Sequence, residues 1–110
     1  MAAFVDIARL DHILAGAAIV VSVNGTAIAV FNIDGSLFAV DDSCVRCGSS
    51  LAAGLLSGSQ ITCSKCDWRY DVTNGRVNGI PALRIDTFEV RTVGARVMVA
   101  DTVASDNNSR

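Results

Sequence analysis

Residues 43–68 read SCVRCGSSLAAGLLSGSQITCSKCDW and hold all four cysteines of the chain. They form two Cys-x-x-Cys pairs, Cys44 with Cys47 and Cys63 with Cys66, separated by residues 48–62. Two thiols three residues apart converge on one point when the chain turns tightly between them. Gly48, just after the first pair, supplies the positive φ that such a turn uses. The spacing fits the general template of a four-thiolate metal site. Thiolate ligands alone do not choose among zinc, mononuclear iron and an iron–sulfur cluster. Arg46 and Lys65 lie inside the pairs, where a cation offsets thiolate charge and lowers cysteine pKa values. Ser64 is placed to donate a hydrogen bond to a metal-bound sulfur, which raises a reduction potential.

The rest of the chain limits what this site serves. With 110 residues there is material for one core, not two. About half of the residues, 51%, are apolar, which indicates a globular chain and not a disordered one. A formal charge of −2 and the lack of any basic run argue against a nucleic-acid partner. The longest apolar stretch, ILAGAAIVVSV at 13–23, is shorter than a bilayer span and contains Gly16, so no membrane association is expected. The start, MAAFVDIARLDH, carries Asp6 and Asp11 and no basic stretch before an apolar run. It does not read as a signal peptide, and a cytoplasmic protein is expected. In a reducing compartment four cysteines are metal ligands or redox groups before they are two disulfides.

Outside the cysteine segment the pattern is mostly of period two, broken by turn residues. AAIVVSV (17–23) and AIAVFNI (27–33) flank Asn24-Gly25, and Asp34-Gly35 leads into SLFAVDD (36–42). Asn-Gly and Asp-Gly are the strongest short hairpin signals, because both central residues of a type I′ turn need positive φ. WRYDV (68–72) alternates and TNG (73–75) turns it; TFEVRTV (87–93), Gly94 and ARVMVA (95–100) make a last hairpin. One short helical turn is expected in ARLDHILAG (8–16), and DTVASDNNSR (101–110) is expected to be a flexible tail. The fold class is therefore all-β, a small antiparallel sandwich or barrel. Trp68 and Tyr70 share one strand face and are expected to pack beneath the metal loop. Asp41 and Asp42 are read as a strand end in solvent, with an acidic docking edge as the functional alternative. Asp67 is expected to cap the second loop, and His12 to sit on an exposed turn. There is no Ser/His/Asp arrangement, no phosphate loop and no open three-ligand metal site, so the chain is not expected to be an enzyme acting alone.

Over about residues 3–100 the chain resembles the Rieske-type ferredoxins and the related small subunits of assimilatory nitrite reductases. FVDIARL and VVSVNGTAIAVFNIDGSLFAVDDSC resemble the family's opening sheet running into its first cluster loop. CVRCGSSLAAGLLSGSQITCSKCDWRYDVTNGRV is similar to its cluster-binding subdomain, and GIPALRIDTFEVR to its proline-containing loop and closing strand. The resemblance implies a single Rieske-like domain over 1–100, with a rubredoxin- or zinc-ribbon-like metal-binding subdomain at about 43–82 and Pro81 packed near the metal. It implies a small electron-transfer protein, a monomer, that passes single electrons from a reductase to a terminal oxygenase or reductase.

The ligands depart from the family's pattern of Cys-x-His followed by Cys-x-x-His. Cys44 and Cys63 match the two cysteine positions. Arg46 stands where the first histidine belongs and Cys66 where the second does. Cys47 lies one position beyond the first histidine site, and Asp67 replaces the usual glycine. The only histidine, His12, lies outside both loops. The expected ligand set is Cys44, Cys47, Cys63 and Cys66, holding a 2Fe–2S cluster, with mononuclear iron or zinc as alternatives. An all-thiolate cluster keeps negative charge that neutral histidines would remove. It should sit toward the about −400 mV of plant-type centres and below the roughly −150 to +300 mV of His-ligated ones. The competing reading is a structural four-cysteine zinc module, or a small subunit of a larger oxidoreductase. Zinc would exclude electron transfer, because it has no redox chemistry.

Overall fold

The computed structural model describes residues 3–104. The chain opens with β1 (Phe4–Arg9), a 3₁₀ turn at Leu10–His12, β2 (Ala18–Val23), β3 (Thr26–Ile33) and β4 (Ser36–Asp41). After the first cysteine pair come a 3₁₀ turn at Leu51–Ala53, β5 (Leu55–Ser57) and β6 (Gln60–Thr62). After the second pair come β7 (Arg69–Asp71), β8 (Arg76–Val77) and β9 (Ile80–Arg84). The chain closes with β10 (Thr87–Phe88), β11 (Val90–Val93) and β12 (Arg96–Ala100). These strands form three antiparallel sheets, ordered β1-β12-β11, β10-β4-β3-β2 and β5-β6-β7-β8-β9.

The two-residue turns behave as the sequence requires. Val23 pairs with Thr26 and Ile33 with Ser36, so each loop holds only its Asn-Gly or Asp-Gly dipeptide. Asn24 and Gly25 take φ of 51° and 82°, and Asp34 and Gly35 take 52° and 94°. Both dipeptides thus adopt the double positive φ of the mirror-image turns that match strand twist.

The middle strand decides the architecture. β3 is buried on both faces over Ile28–Asn32. Ile28 and Val30 join Ile13, Val23, Ala39, Val97 and Val99 in one apolar cluster. Ala29 and Phe31 point the other way, into a second cluster with Leu51, Ile61, Tyr70, Cys44 and Cys63. The four-stranded sheet is therefore the wall between a core shared with the β1-β12-β11 sheet and a core shared with the cysteine-bearing five-stranded sheet.

Three local expectations change. The helical turn expected over 8–16 is only the 3₁₀ turn at Leu10–His12, because Ala8 and Arg9 pair with Val97 and Arg96 in β1. The single strand expected over 87–93 breaks at Glu89, since β10 pairs with β4 and β11 with β12. One strand cannot serve two sheets without a corner. In the stretch expected to be a tail, Asp101 N–H donates to the Ala3 carbonyl at 2.9 Å and Ala104 N–H to that of Thr87 at 2.7 Å. Residues 105–110 lie outside the described residues. Among the described residues no helix is long and apolar enough to cross a membrane.

Gly54 ends the 3₁₀ turn before β5, and a Cβ built there would run into the backbone carbonyl of Thr62. Backbone cannot step aside as a side-chain tip can. Gly54→Ala is expected to lower unfolding stability by about 1–3 kcal/mol, the usual range for forced overpacking. A shifted midpoint in urea denaturation checks this; an unchanged midpoint would show that the turn relaxes freely.

Candidate metal centre

The two cysteine pairs fold as near copies. Gly48 N–H donates to the Cys44 carbonyl at 2.9 Å, and Asp67 N–H to that of Cys63 at 3.1 Å. Cys44 N–H donates to the Ser49 carbonyl at 3.0 Å, and Cys63 N–H to that of Trp68 at 2.7 Å. Gly48 and Asp67 both occupy the left-handed region, with φ of 79° and 64°. The expected capping role of Asp67 is thus filled by its backbone; an aspartate tolerates positive φ better than most residues. Each knuckle closes a tight loop that turns its two thiols toward the other knuckle.

The four sulfurs meet at one place, all within 4.8 Å of one another. Cys44 Sγ lies 3.7 Å from Cys66 Sγ, and Cys47 Sγ 3.6 Å from Cys63 Sγ. Cys44 and Cys63 are buried in the core behind the site, Cys66 is half-buried and Cys47 is exposed. The centre therefore reaches from the core to the surface.

The polar surroundings favour thiolate at some positions and not at others. Cys47 is pulled down to about 6, first by the Ser49 hydroxyl and then by the Ser49 N–H. Cys44 is held below its ordinary value although burial opposes ionisation, because the Tyr70 hydroxyl and the N–H groups of Cys47 and Arg46 donate to it. At Cys66 the Trp68 N–H acts downward, but burial and the three neighbouring sulfurs outweigh it and push the thiol up to about 12. Four thiols in contact cannot all ionise without a cation to hold them together.

Of the other expected site residues, Trp68 is half-buried and packs against the core behind the sulfurs. Arg46 stacks its guanidinium over the Trp68 ring, 5.4 Å from the centroid. This puts the cation at the rim of the site, inside the reach of a cation–π contact. Lys65 and Ser64 are exposed on the second knuckle. Pro81 stands exposed on β9, where its carbonyl accepts from Arg76 Nη1 at 2.7 Å. His12 is exposed on its 3₁₀ turn, 3.9 Å from Asp11.

Two contributions lay beyond the sequence reading. The hydroxyl of Tyr70, a fully buried side chain, lies 3.1 Å from Cys44 Sγ and accepts the Val45 N–H at 3.0 Å. A buried tyrosine requires a partner for its hydroxyl, and that requirement was the available signal. Asp42 is the second. It was expected in solvent, yet it is 9% exposed and accepts from Ser50 Oγ at 2.6 Å and Ala52 N–H at 2.8 Å. It ties the segment after the first knuckle to the end of β4. Asp41 beside it titrates above the usual carboxylate range, through burial and then the charges of Asp86 and Asp42. Asp42→Ala is expected to cost about 1–3 kcal/mol in chemical denaturation, since it strips the acceptor from two inward donors. Asp42→Asn, which keeps one acceptor oxygen, should recover part of the loss; a neutral alanine variant would refute the tie.

The donor set is four soft sulfurs with N–H and O–H groups aimed at them. This suits iron or zinc, and it offers none of the oxygen ligands that magnesium or calcium demand. Residues 3–94 match the Rieske [2Fe-2S] domain family. The ferredoxin component of the naphthalene 1,2-dioxygenase/salicylate 5-hydroxylase systems of Ralstonia sp. is 33% identical over 97 residues, 87% of this chain and 93% of the relative. The ferredoxin of carbazole 1,9a-dioxygenase from Nocardioides aromaticivorans IC177 matches with a TM-score of 0.84 at 25% identity, over 90% of this chain and 98% of that one. A chain in a complex of reduced oxygenase and oxidized ferredoxin of carbazole 1,9a-dioxygenase matches with a TM-score of 0.86 at 23% identity, over 94% of this chain and 97% of that one. At that last identity the shared property is the fold.

Proposed function

The chain belongs to the Rieske [2Fe-2S] domain family, and from that premise we propose that it carries single electrons from a reductase to a terminal oxygenase or another redox enzyme. The electron rests on an iron–sulfur centre held by Cys44, Cys47, Cys63 and Cys66. When bound, iron supplies a reversible one-electron couple that the sulfurs tune. The observation that carries the reading is the graded burial of the four ligands. Cys44 and Cys63 anchor the centre in the core while Cys47 stands exposed, so a partner can come close to the redox group. The relative from Ralstonia sp. is a ferredoxin component of dioxygenase systems, which supports an oxygenase as the electron acceptor.

The chain acts as a carrier and not as a catalytic subunit. It works as a cytoplasmic monomer of one domain ending near residue 100, with its metal-binding subdomain at about 43–82. Family membership supports a 2Fe–2S core. Arg46 and Lys65 keep exposed positive charge beside the anionic sulfurs, and Arg46 on Trp68 marks the face that meets the partner. A stepwise redox titration of anaerobically purified protein, followed by its visible spectrum, tests the function. Reversible bleaching by one electron per chain is the expected result. A colourless, redox-silent protein would leave a structural module in place of a carrier.

A further inference from the structure

We propose that the four thiolates close on a single metal ion and not on a two-iron core. The inference rests on the reading that these cysteines hold a metal, and it departs from the nuclearity that the family suggests.

Size separates the two kinds of centre. A tetrahedral site with metal–sulfur bonds of about 2.3 Å has sulfur–sulfur edges of about 3.8 Å. The two separations resolved as contacts are 3.7 Å for Cys44–Cys66 and 3.6 Å for Cys47–Cys63. No pair of the four exceeds 4.8 Å. In a two-iron core each iron takes two of the four thiolates and two sulfides bridge the irons. Thiolates on different irons are then held apart by the core between them, beyond one tetrahedron edge.

None of the three ways of sharing four cysteines between two irons matches. With one knuckle on each iron, Cys44–Cys66 and Cys47–Cys63 would span the core, and they are contacts. Suppose the inner pair, Cys44 and Cys63, takes one iron and the outer pair, Cys47 and Cys66, takes the other. Cys44–Cys66 and Cys47–Cys63 are then separations across the core and should be long. They are contacts. Suppose instead that these contact pairs each take one iron. Cys44–Cys63 and Cys47–Cys66 must then span the core, yet both stay within 4.8 Å. A single ion at the centre satisfies all four at once.

The backbone explains why the cage is this small. The matching carbonyl bonds of Gly48 and Asp67, and the matching left-handed turns, make the two knuckles equivalent. Equivalent knuckles facing each other present four thiols to one point. The two residues between Cys44 and Cys47 matter here. They bring the second ligand of the first knuckle round to the same point, as those of Cys63-x-x-Cys66 do on the other side.

The test is the metal and acid-labile sulfide content of the full chain purified anaerobically, followed by titration of the metal-free chain with Co²⁺ alone. One iron per chain without sulfide is the expected content. One zinc without sulfide also supports a single-ion cage, and it refutes the electron-carrier reading instead. Two irons with two sulfides overturn the single-ion proposal and leave the carrier intact. The titration should saturate at one Co²⁺ per chain, with sulfur-to-metal charge-transfer bands, with no sulfide supplied. Failure to bind Co²⁺ without sulfide overturns the proposal whatever the purified protein contained.

Discussion

Cys63→Ser is expected to abolish metal retention, while Cys47→Ser weakens it by a smaller factor. The two residues are neighbours in the cage, with sulfurs 3.6 Å apart, so their coordination is equivalent. Their surroundings are not. Cys63 is fully buried against Leu51, Ile61 and Tyr70, and Cys47 is exposed. Serine offers a hard oxygen to a soft ion at either place. At position 63 the hydroxyl is also taken out of water among apolar side chains, which costs about 1–3 kcal/mol when it is left unpaired. At position 47 water can complete the coordination. Metal binding by four thiolates contributes on the order of 10–16 kcal/mol in small metal-folded modules. Losing a quarter of that is roughly a hundredfold to a thousandfold in affinity, and the buried hydroxyl adds to it. The loss at position 47 should stay nearer tenfold to a hundredfold, the range seen when a metal site is perturbed and not broken. Competition with a chelator, read as metal retained per chain, measures both. Thermal denaturation should show a lower Tm for Cys63→Ser, because the metal holds the knuckles of the five-stranded sheet together. Equal losses at the two positions would refute the division into anchored and exposed ligands.

Both the cage and much of the fold can be read from particular residues. Asn24-Gly25 and Asp34-Gly35 set two hairpins to the residue, because few other dipeptides accept two consecutive positive φ values. The four cysteines announce a metal site through spacing alone. What the sequence hides is what depends on neighbours far along the chain. AIAVF in β3 reads as an ordinary strand, and only the packing of two other sheets shows that both its faces are buried. TFEVRTV has continuous strand propensity, and its break at Glu89 arises because β4 and β12 compete for it. Asp42 looks like a solvated strand end. Its burial depends on Ser50 and Ala52, eight and ten residues on, folding back over it. The nuclearity of the centre is hidden for the same reason. Spacing brings thiols together, but only the distance between knuckles says how much lies between them.

Tyr70→Phe is expected to lower the midpoint potential of the iron-loaded protein and to destabilise it, without removing the metal. The Tyr70 hydroxyl reaches the buried sulfur of Cys44 at 3.1 Å. The Tyr70 hydroxyl works with backbone N–H groups to hold Cys44 below the usual thiol range against its burial. Tyr70 itself is raised, through burial first and then its bond to Cys44, so it remains a neutral donor at any ordinary pH. A donor to sulfur favours the more negative, reduced centre. Removing one such bond of about 1 kcal/mol lowers a one-electron potential by about 40 mV. The same oxygen accepts the Val45 N–H at 3.0 Å, so phenylalanine also leaves a backbone donor of the first knuckle without its acceptor. That adds a stability loss of about 1–3 kcal/mol. Trp68→Phe is the control. It keeps the Trp68 backbone N–H that reaches Cys66 and an aromatic face for Arg46, and trims only part of the ring packed against the core, so its potential should move far less. Potentiometric titration of both variants at matched metal content separates the two effects. If Tyr70→Phe loses stability with no change in potential, the hydroxyl serves only to hold Val45. If the potential falls as expected, a residue buried in the core sets the driving force at a centre whose outer edge, Cys47, is exposed.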